Sequence, residues 1–468
     1  MILRYFYNDK LAHASYLVGC PATGEAIVID PGRDVEPYLK AARKEGLKVV
    51  AAAETHIHAD YVSGARELAD RGEAKLYLSG EGEGKSFPYA KELHHEFLQD
   101  GDRFSIGNLT LEAMHTPGHT PEHLSYLLTD GGAEDPMGIF TGDFVFFGDV
   151  GRPDLLEKSL GVSGSADAGA EAMFRSLQRF KELPDFLQIW PAHGAGSACG
   201  KSLGAVPSST VGYEKRYNWA LKEEDPESFK KELLNEQPEP PHYFAVMKRV
   251  NNEGPELISR LSAPGKMKPS KKAVDEQLER GATVIDTRAP GDFASGHLPG
   301  TINIPYTRFF TNWAGWLIDY DRPVYLIADP DRVNEMKKDL YSIGIDHLEG
   351  YFDLSVIEKT DEKDLEQYRT VSPDEAAEKV KNGDWEVVDV RMKNEWDQGH
   401  ISGARHIILG DLKEKIKGVP KDKPILVHCK SGGRSAIAAS LLQAEGIKNV
   451  INLRGGFDAW KERGLPKV

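Results

Sequence analysis

The strongest constraint on the fold is that the second half of this chain is written twice. VIDTRAPGDFASGHLPGTINI (284–304) aligns with VVDVRMKNEWDQGHISGARHI (387–407) at a fixed offset of 103 residues. Asp286 pairs with Asp389, Arg288 with Arg391, Gly296 with Gly399, His297 with His400 and Gly300 with Gly403. Further on, LEGYFD (348–353) echoes LRGGFD (453–458). Self-similarity at a fixed spacing means a repeated structural unit. Each copy reads as strand, loop, strand, helix, strand, helix, the pattern of a parallel sheet covered by helices. The unit is a duplicated α/β domain of about 100 residues, an ordinary domain size.

A chain of 468 residues is too long for those two copies alone, since about 150 residues per domain predicts about three domains. Residues ahead of the repeat alternate short apolar strands with turns. AIVIDPG (26–32) and LKVVAAAE (47–54) are strands flanking a helix that ends at Gly46. Strands are also predicted at 104–115, 123–129, 137–143 and 187–193, a helix at 168–183 and a charged helical stretch at 208–234. NEQPEPPH (235–242) and SAPGKMKPS (262–270) are rich in Pro, Gly and charge and mark a boundary. The division expected is a first domain over 1–245, a linker over 246–268, a first copy over 269–358 and a second over 359–468.

The second copy contains PILVHCKSGGRSAIAASLLQAEG (424–446), a buried strand, a small loop and a helix. Cys429 sits where the strand ends, and Lys430, Ser431, Gly432 and Gly433 lead to Arg434 at the helix start. Backbone N–H groups at a helix N-terminus stabilise a thiolate. The glycines let the backbone curl around the sulfur, and Arg434 adds a fixed positive charge. Phosphate-binding loops of cysteine phosphatases carry one residue more between Cys and Arg, so this cradle suits a terminal sulfur. A lone cysteine in an apolar strand is commonly structural, but the two glycines and the arginine favour a nucleophile. With its DVR, GHI and LRGGFDAW segments, the stretch 372–468 resembles rhodaneses, which implies that Cys429 carries a persulfide sulfur from donor to acceptor. The first copy reads PVYLIADPDRVNEM (323–336), with Ala328 in place of the cysteine. It resembles an inactive rhodanese-like domain, and Asp329 and Asp331 are expected to be turn residues.

The N-terminal part gathers potential metal ligands. THIHADY (55–61) supplies His56, His58 and Asp60, MHTPGHTPEH (114–123) supplies His119, IFTGDFVF (139–146) supplies Asp143 and IWPAHG (189–194) supplies His193. Each follows a predicted strand, so one edge of a folded sandwich brings them together. Where a two-metal loop of this kind ends in histidine, this chain has Tyr61, a weak ligand of high pKa. HxHxD, TPGHT, TGD and PAHG together resemble the metallo-β-lactamase superfamily over about residues 1–240, implying an αββα sandwich. The resemblance to persulfide dioxygenases within it implies one Fe(II) held by His56, His119 and Asp143. His58, Asp60, Tyr61 and His193 then orient ligands or bound water.

The order of domains resembles bacterial persulfide dioxygenase–rhodanese fusions across essentially the whole chain. That resemblance implies oxidation of a low-molecular-weight thiol persulfide by O2 to sulfite, sulfur transfer through Cys429 to give thiosulfate, and sulfide detoxification. Two alternatives stay open: a zinc thioester hydrolase of the glyoxalase II type with an accessory sulfurtransferase, and a rhodanese-based interaction protein. Cys199 in GAGSACGK is either a sulfur relay or a bystander, Cys20 is structural, and Tyr213, Lys215 and Arg216 lie on a solvated helix face. A net charge of −15 argues against nucleic-acid or membrane partners. There is no apolar run long enough to span a bilayer, and MILRYFYNDK lacks the apolar core of a secretory signal. Three scattered cysteines do not make a disulfide framework. A cytoplasmic homo-oligomer is expected.

Overall fold

The computed structural model describes residues 1–72, 74–82, 86–201, 203–419 and 422–468. It divides into two compact units, one of Met1–Leu261 with Tyr341–Gly344 and one of the remaining residues.

The first unit is built on two six-stranded sheets. The first holds β1 (Ile2–Asn8), β2 (His13–Cys20), β3 (Glu25–Ile29), β4 (Lys48–Ala53), β5 (Lys75–Ser79) and β6 (His95–Leu98), in that spatial order. The second holds β7 (Arg103–Ile106), β8 (Leu109–His115), β9 (Leu124–Thr129), β10 (Gly138–Gly142), β11 (Gln188–Pro191) and β12 (Ser209–Thr210), also in sequence order across the sheet. Their inner faces share one core that includes Tyr16, Val18, Ile27, Leu111, Tyr126, Phe140 and Trp190. The outer face of the first sheet is covered by the helices Glu36–Lys44 and Ala65–Gly72, through Tyr38, Ala42, Ala65 and Leu68. The second is covered by Ser165–Lys181, which buries Ala170, Met173, Leu177 and Phe180 at helical spacing. This is the αββα sandwich. The strand placed at 104–115 is a hairpin, β7 and β8, because Gly107 at φ +56° breaks the run.

The linker expected over 246–268 is corrected by the structure. A helix over Tyr243–Glu253 buries Phe244, Met247, Lys248 and Asn251, and the first unit continues to Leu261. The Pro-rich run at 235–242 marks a turn before this helix, not the end of the domain.

The second unit contains two sheets with matching strand order. In the first copy β13 (Gly265–Lys266), β14 (Thr283–Asp286), β15 (Ile302–Asn303), β16 (Val324–Ala328) and β17 (Leu348–Asp353) lie in the order β13-β17-β16-β14-β15. In the second, β18 (Arg369–Val371), β19 (Glu386–Asp389), β20 (Arg405–His406), β21 (Ile425–His428) and β22 (Val450–Leu453) lie in the order β18-β22-β21-β19-β20. All pairs in both sheets are parallel. The repeated D-x-R…GH motif has one job in each copy. Arg288 pairs with Asp286 and donates to Gly296 O at 2.9 Å, as Arg391 pairs with Asp389 and donates to Gly399 O at 2.9 Å. Residues up to 368, assigned to the second copy from 359 onward, lean on the first: Glu366 bridges to His297, and Tyr368 N–H donates to Ala294 O at 3.1 Å. Among the described residues no helix is long and apolar enough to cross a membrane.

The helix Gly433–Ala444 is one place where the first copy packs on the second. Ser435 to Gln443 are all buried, so the helix has no solvent face. Part of that cover comes from the first copy, where Asn303 N–H donates to Ser440 Oγ at 2.9 Å. A fragment of residues 369–468 alone should therefore bind a hydrophobic dye and unfold at lower temperature than the 262–468 pair. Equal melting temperatures would show that the first copy gives no support.

Candidate metal centre and sulfur-transfer loop

All four ligand-bearing loops leave the C-terminal ends of strands at one edge of the sandwich: THIHADY after β4, TPGHT after β8, Asp143 after β10 and His193 after β11. Gly142 makes the turn into Asp143. It sits at φ +52°, and a Cβ there would lie 2.5 Å from Thr55 Oγ1 and 2.6 Å from His123 Nε2, so only glycine fits.

His56, His119 and Asp143 meet, with ligand atoms all within 4.8 Å of one another. Their hydrogen bonds decide which atoms face inward. Thr55 Oγ1 donates to Asp30 Oδ2 at 2.9 Å and so accepts from His56 Nδ1–H at 2.9 Å. His119 Nδ1–H donates to Arg152 O at 2.9 Å. Asp143 Oδ1 takes His193 Nδ1–H at 2.7 Å. What remains is His56 Nε2, His119 Nε2 and Asp143 Oδ2, each buried and without a hydrogen-bond partner. Three orphaned lone pairs, with both imidazole tautomers fixed by outer partners, suit a divalent cation. Two histidines and one carboxylate on one face match a non-heme Fe(II) site, and the same donors also suit zinc.

The other expected residues surround this trio. His193 spends its second nitrogen on Asp60 Oδ2, also at 2.7 Å. Burial works against its charge, but Asp143 and Asp60 prevail and raise its pKa to about 10. His58 points Nε2 at Asp30 Oδ1 (3.1 Å) and Glu54 Oε2 (3.0 Å), and these carboxylates overcome burial to keep its pKa well above the usual value. Tyr61 is turned away from the trio. Its hydroxyl donates to Asp30 O at 3.3 Å, and its ring lies 3.8 Å from His13 and 4.6 Å from His58. Replacing it should therefore change metal stoichiometry: Tyr61→His is expected to raise bound metal from one ion per chain toward two, read by elemental analysis. One ion in both proteins would show that the tyrosine does not set the number.

Cys199 lies with Asp60 and His193, their ligand atoms within 4.8 Å of one another. It is 1% exposed, and burial, reinforced by Asp143 and Asp60, pushes its thiol pKa well up. Two orienting groups escaped the sequence reading. His123 accepts the Asp143 N–H at 3.1 Å and stacks on His56 at 5.0 Å. Asn251 donates to His58 O at 2.8 Å and Tyr61 O at 2.7 Å, and accepts from Ser63 N–H at 2.9 Å. The last histidine of TPGHTPEH was a visible signal for the first, and nothing local pointed to the second.

In the second copy, Cys429 Sγ accepts from Gly432 N–H at 3.1 Å and from the Ser435 hydroxyl at 3.5 Å. Gly432, at φ +104°, caps the helix Gly433–Ala444, so the sulfur sits at its N-terminus. Lys430, Ser431 and Gly433 are exposed around it. Arg434 is held by Glu395 in a two-pronged ion pair at 2.6 and 2.7 Å. Glu395 also accepts the Met392 N–H, a role not singled out in the sequence. In the first copy Ala328 ends β16, and Asp329 caps a turn by accepting from Asp331 N–H at 3.0 Å. Both aspartates are turn residues there.

The profile of the metallo-beta-lactamase superfamily matches residues 8–193. A metallo-beta-lactamase from Staphylococcus aureus subsp. aureus COL is 44% identical, covering 75% of this chain and 98% of that one at a TM-score of 0.68. The chain belongs to the metallo-β-lactamase superfamily. Its superfamily domain is followed by two rhodanese-like domains, matched over residues 270–344 and 372–463. The hydroxyacylglutathione hydrolase of Gloeothece citriformis is 33% identical over 179 residues, 38% of this chain and 63% of that protein. The chain thus spans less than two thirds of that relative. The hydroxyacylglutathione hydrolase of Rhodopseudomonas palustris is 30% identical over 197 residues, 42% of this chain and 68% of that protein.

Proposed function

We propose that the superfamily domain is a mononuclear Fe(II) dioxygenase for low-molecular-weight thiol persulfides, coupled to sulfur transfer at Cys429 and serving sulfide detoxification. The carrying observation is the orphaned trio His56 Nε2, His119 Nε2 and Asp143 Oδ2, beside a tyrosine whose hydroxyl is spent on Asp30 O. A ferrous ion bound there would supply open positions at which dioxygen and the persulfide sulfur are brought together and dioxygen is activated. The chain's own groups hold the geometry: Thr55 and Arg152 O fix the two imidazoles, and His193 and His123 fix Asp143.

The balance is RSSH + O2 + H2O → RSH + SO3²⁻ + 2 H⁺, the outer sulfur giving four electrons to dioxygen. A second RSSH loads Cys429: the Sγ thiolate attacks its outer sulfur, the S–S bond of RSSH breaks and RSH leaves, and sulfite then attacks the outer sulfur of the Cys429 persulfide. The S–S bond to Cys429 breaks, a new one forms in thiosulfate, and the electron pair stays on Sγ. There the Gly432 N–H, the Ser435 hydroxyl and the helix N-terminus stabilise it. The identity to hydroxyacylglutathione hydrolases favours a second reading, zinc-dependent thioester hydrolysis at the same trio. Oxygen uptake with glutathione persulfide, beside hydrolysis of a glutathione thioester, separates the two. Uptake without hydrolysis supports the first, and hydrolysis without uptake replaces it.

A further inference from the structure

Lys248 is a buried residue near the metal trio whose charge has so far had no role. It lies on the helix Tyr243–Glu253, 6% exposed, on the face that also buries Asn251. Asn251, less than one turn further on, is bonded to the backbone of His58 and Tyr61, so this face abuts the THIHADY loop. Among the described residues the Lys248 ammonium has no hydrogen bond and no carboxylate within 4.0 Å, and its charge acts on Glu122, Cys199 and Asp143 and on the imidazoles of His56 and His119. Glu122 has Oε1 committed to the Ile57 amide at 3.0 Å. The ammonium is not among the fully enclosed unpartnered atoms, so its tip reaches open space, and the protein groups around it supply no close counter-ion.

We propose that Lys248 is the anion-holding residue of the metal cleft, pairing with the terminal sulfur anion of the persulfide and, after oxidation, with the oxygens of sulfite. The assignment of those two anions rests on the persulfide reading above. Lysine suits the task because its ammonium is a point charge with three donors, able to follow a group that changes from one sulfur to three oxygens. It positions substrate and product and takes no part in the electron transfer.

The test compares metal-loaded wild type with Lys248→Met and Lys248→Arg, after elemental analysis has shown equal metal content. Sulfite binding is read by calorimetry, and KM and kcat by oxygen uptake on glutathione persulfide. Lys248→Met should weaken sulfite binding and raise KM about tenfold or more, the scale of one charge-assisted hydrogen bond, with kcat little changed. Lys248→Arg should recover most of the loss. Equal sulfite affinity in all three proteins, or no sulfite binding by wild type, overturns the proposal. A kcat loss at constant KM that arginine does not rescue also overturns it. Wild type that binds sulfite through Lys248 but takes up no oxygen leaves the anion site standing and removes the persulfide reading instead.

Discussion

Cys429→Ser is expected to leave oxygen uptake on glutathione persulfide within about twofold of wild type while thiosulfate falls more than about 100-fold and sulfite accumulates. The metal trio and Cys429 belong to separate units, and serine differs from cysteine by one atom, so the trio is undisturbed. The Gly432 N–H and Ser435 hydroxyl that face Sγ still have an oxygen to donate to. What is lost is a thiolate able to hold and release a sulfur atom. Product analysis with sulfite and thiosulfate resolved reads the outcome directly. Unchanged thiosulfate would mean that the two sites are not coupled through this sulfur.

His119→Ala should have the opposite pattern, abolishing oxygen uptake while leaving thiosulfate sulfurtransferase activity intact. His119 provides one of three inward lone pairs, and its loss leaves two donors. Metal affinity is expected to fall more than about 100-fold, beyond what loss of a mere outer partner costs. Asp143 loses no bond to His193 or His123, so the fold survives and circular dichroism should be unchanged. Full metal content in the variant would remove His119 from the ligand set.

The sequence carried the chemistry better than it carried the supports. Ligand residues announced themselves because each sits in a short motif after an apolar strand, and the repeat announced itself through a constant offset. The Tyr243–Glu253 helix did not. Its start is masked by NEQPEPPH, and its buried positions include a lysine and an asparagine, so the apolar stripe that marks a packed helix is broken. Asp30 and Glu54 were equally silent, being strand-end acids whose partners lie 28 and four residues away in His58. Glu395 was hidden because a glutamate early in a short helix ordinarily caps it, as this one does at Met392, and its grip on Arg434 is long-range. The Gly433–Ala444 helix was legible as a helix, but not the Asn303 N–H of the first copy that helps cover it, because that contact is long-range.

The central claim is that a single ferrous ion occupies the trio and oxidises persulfide sulfur. Anaerobic purification with elemental analysis, followed at once by oxygen uptake on glutathione persulfide, tests it most directly. One iron per chain is expected, with one O2 consumed per two persulfides where Cys429 carries the sulfite on to thiosulfate and one O2 per persulfide in Cys429→Ser. Two zinc ions per chain, with no uptake and rapid thioester hydrolysis, would contradict it.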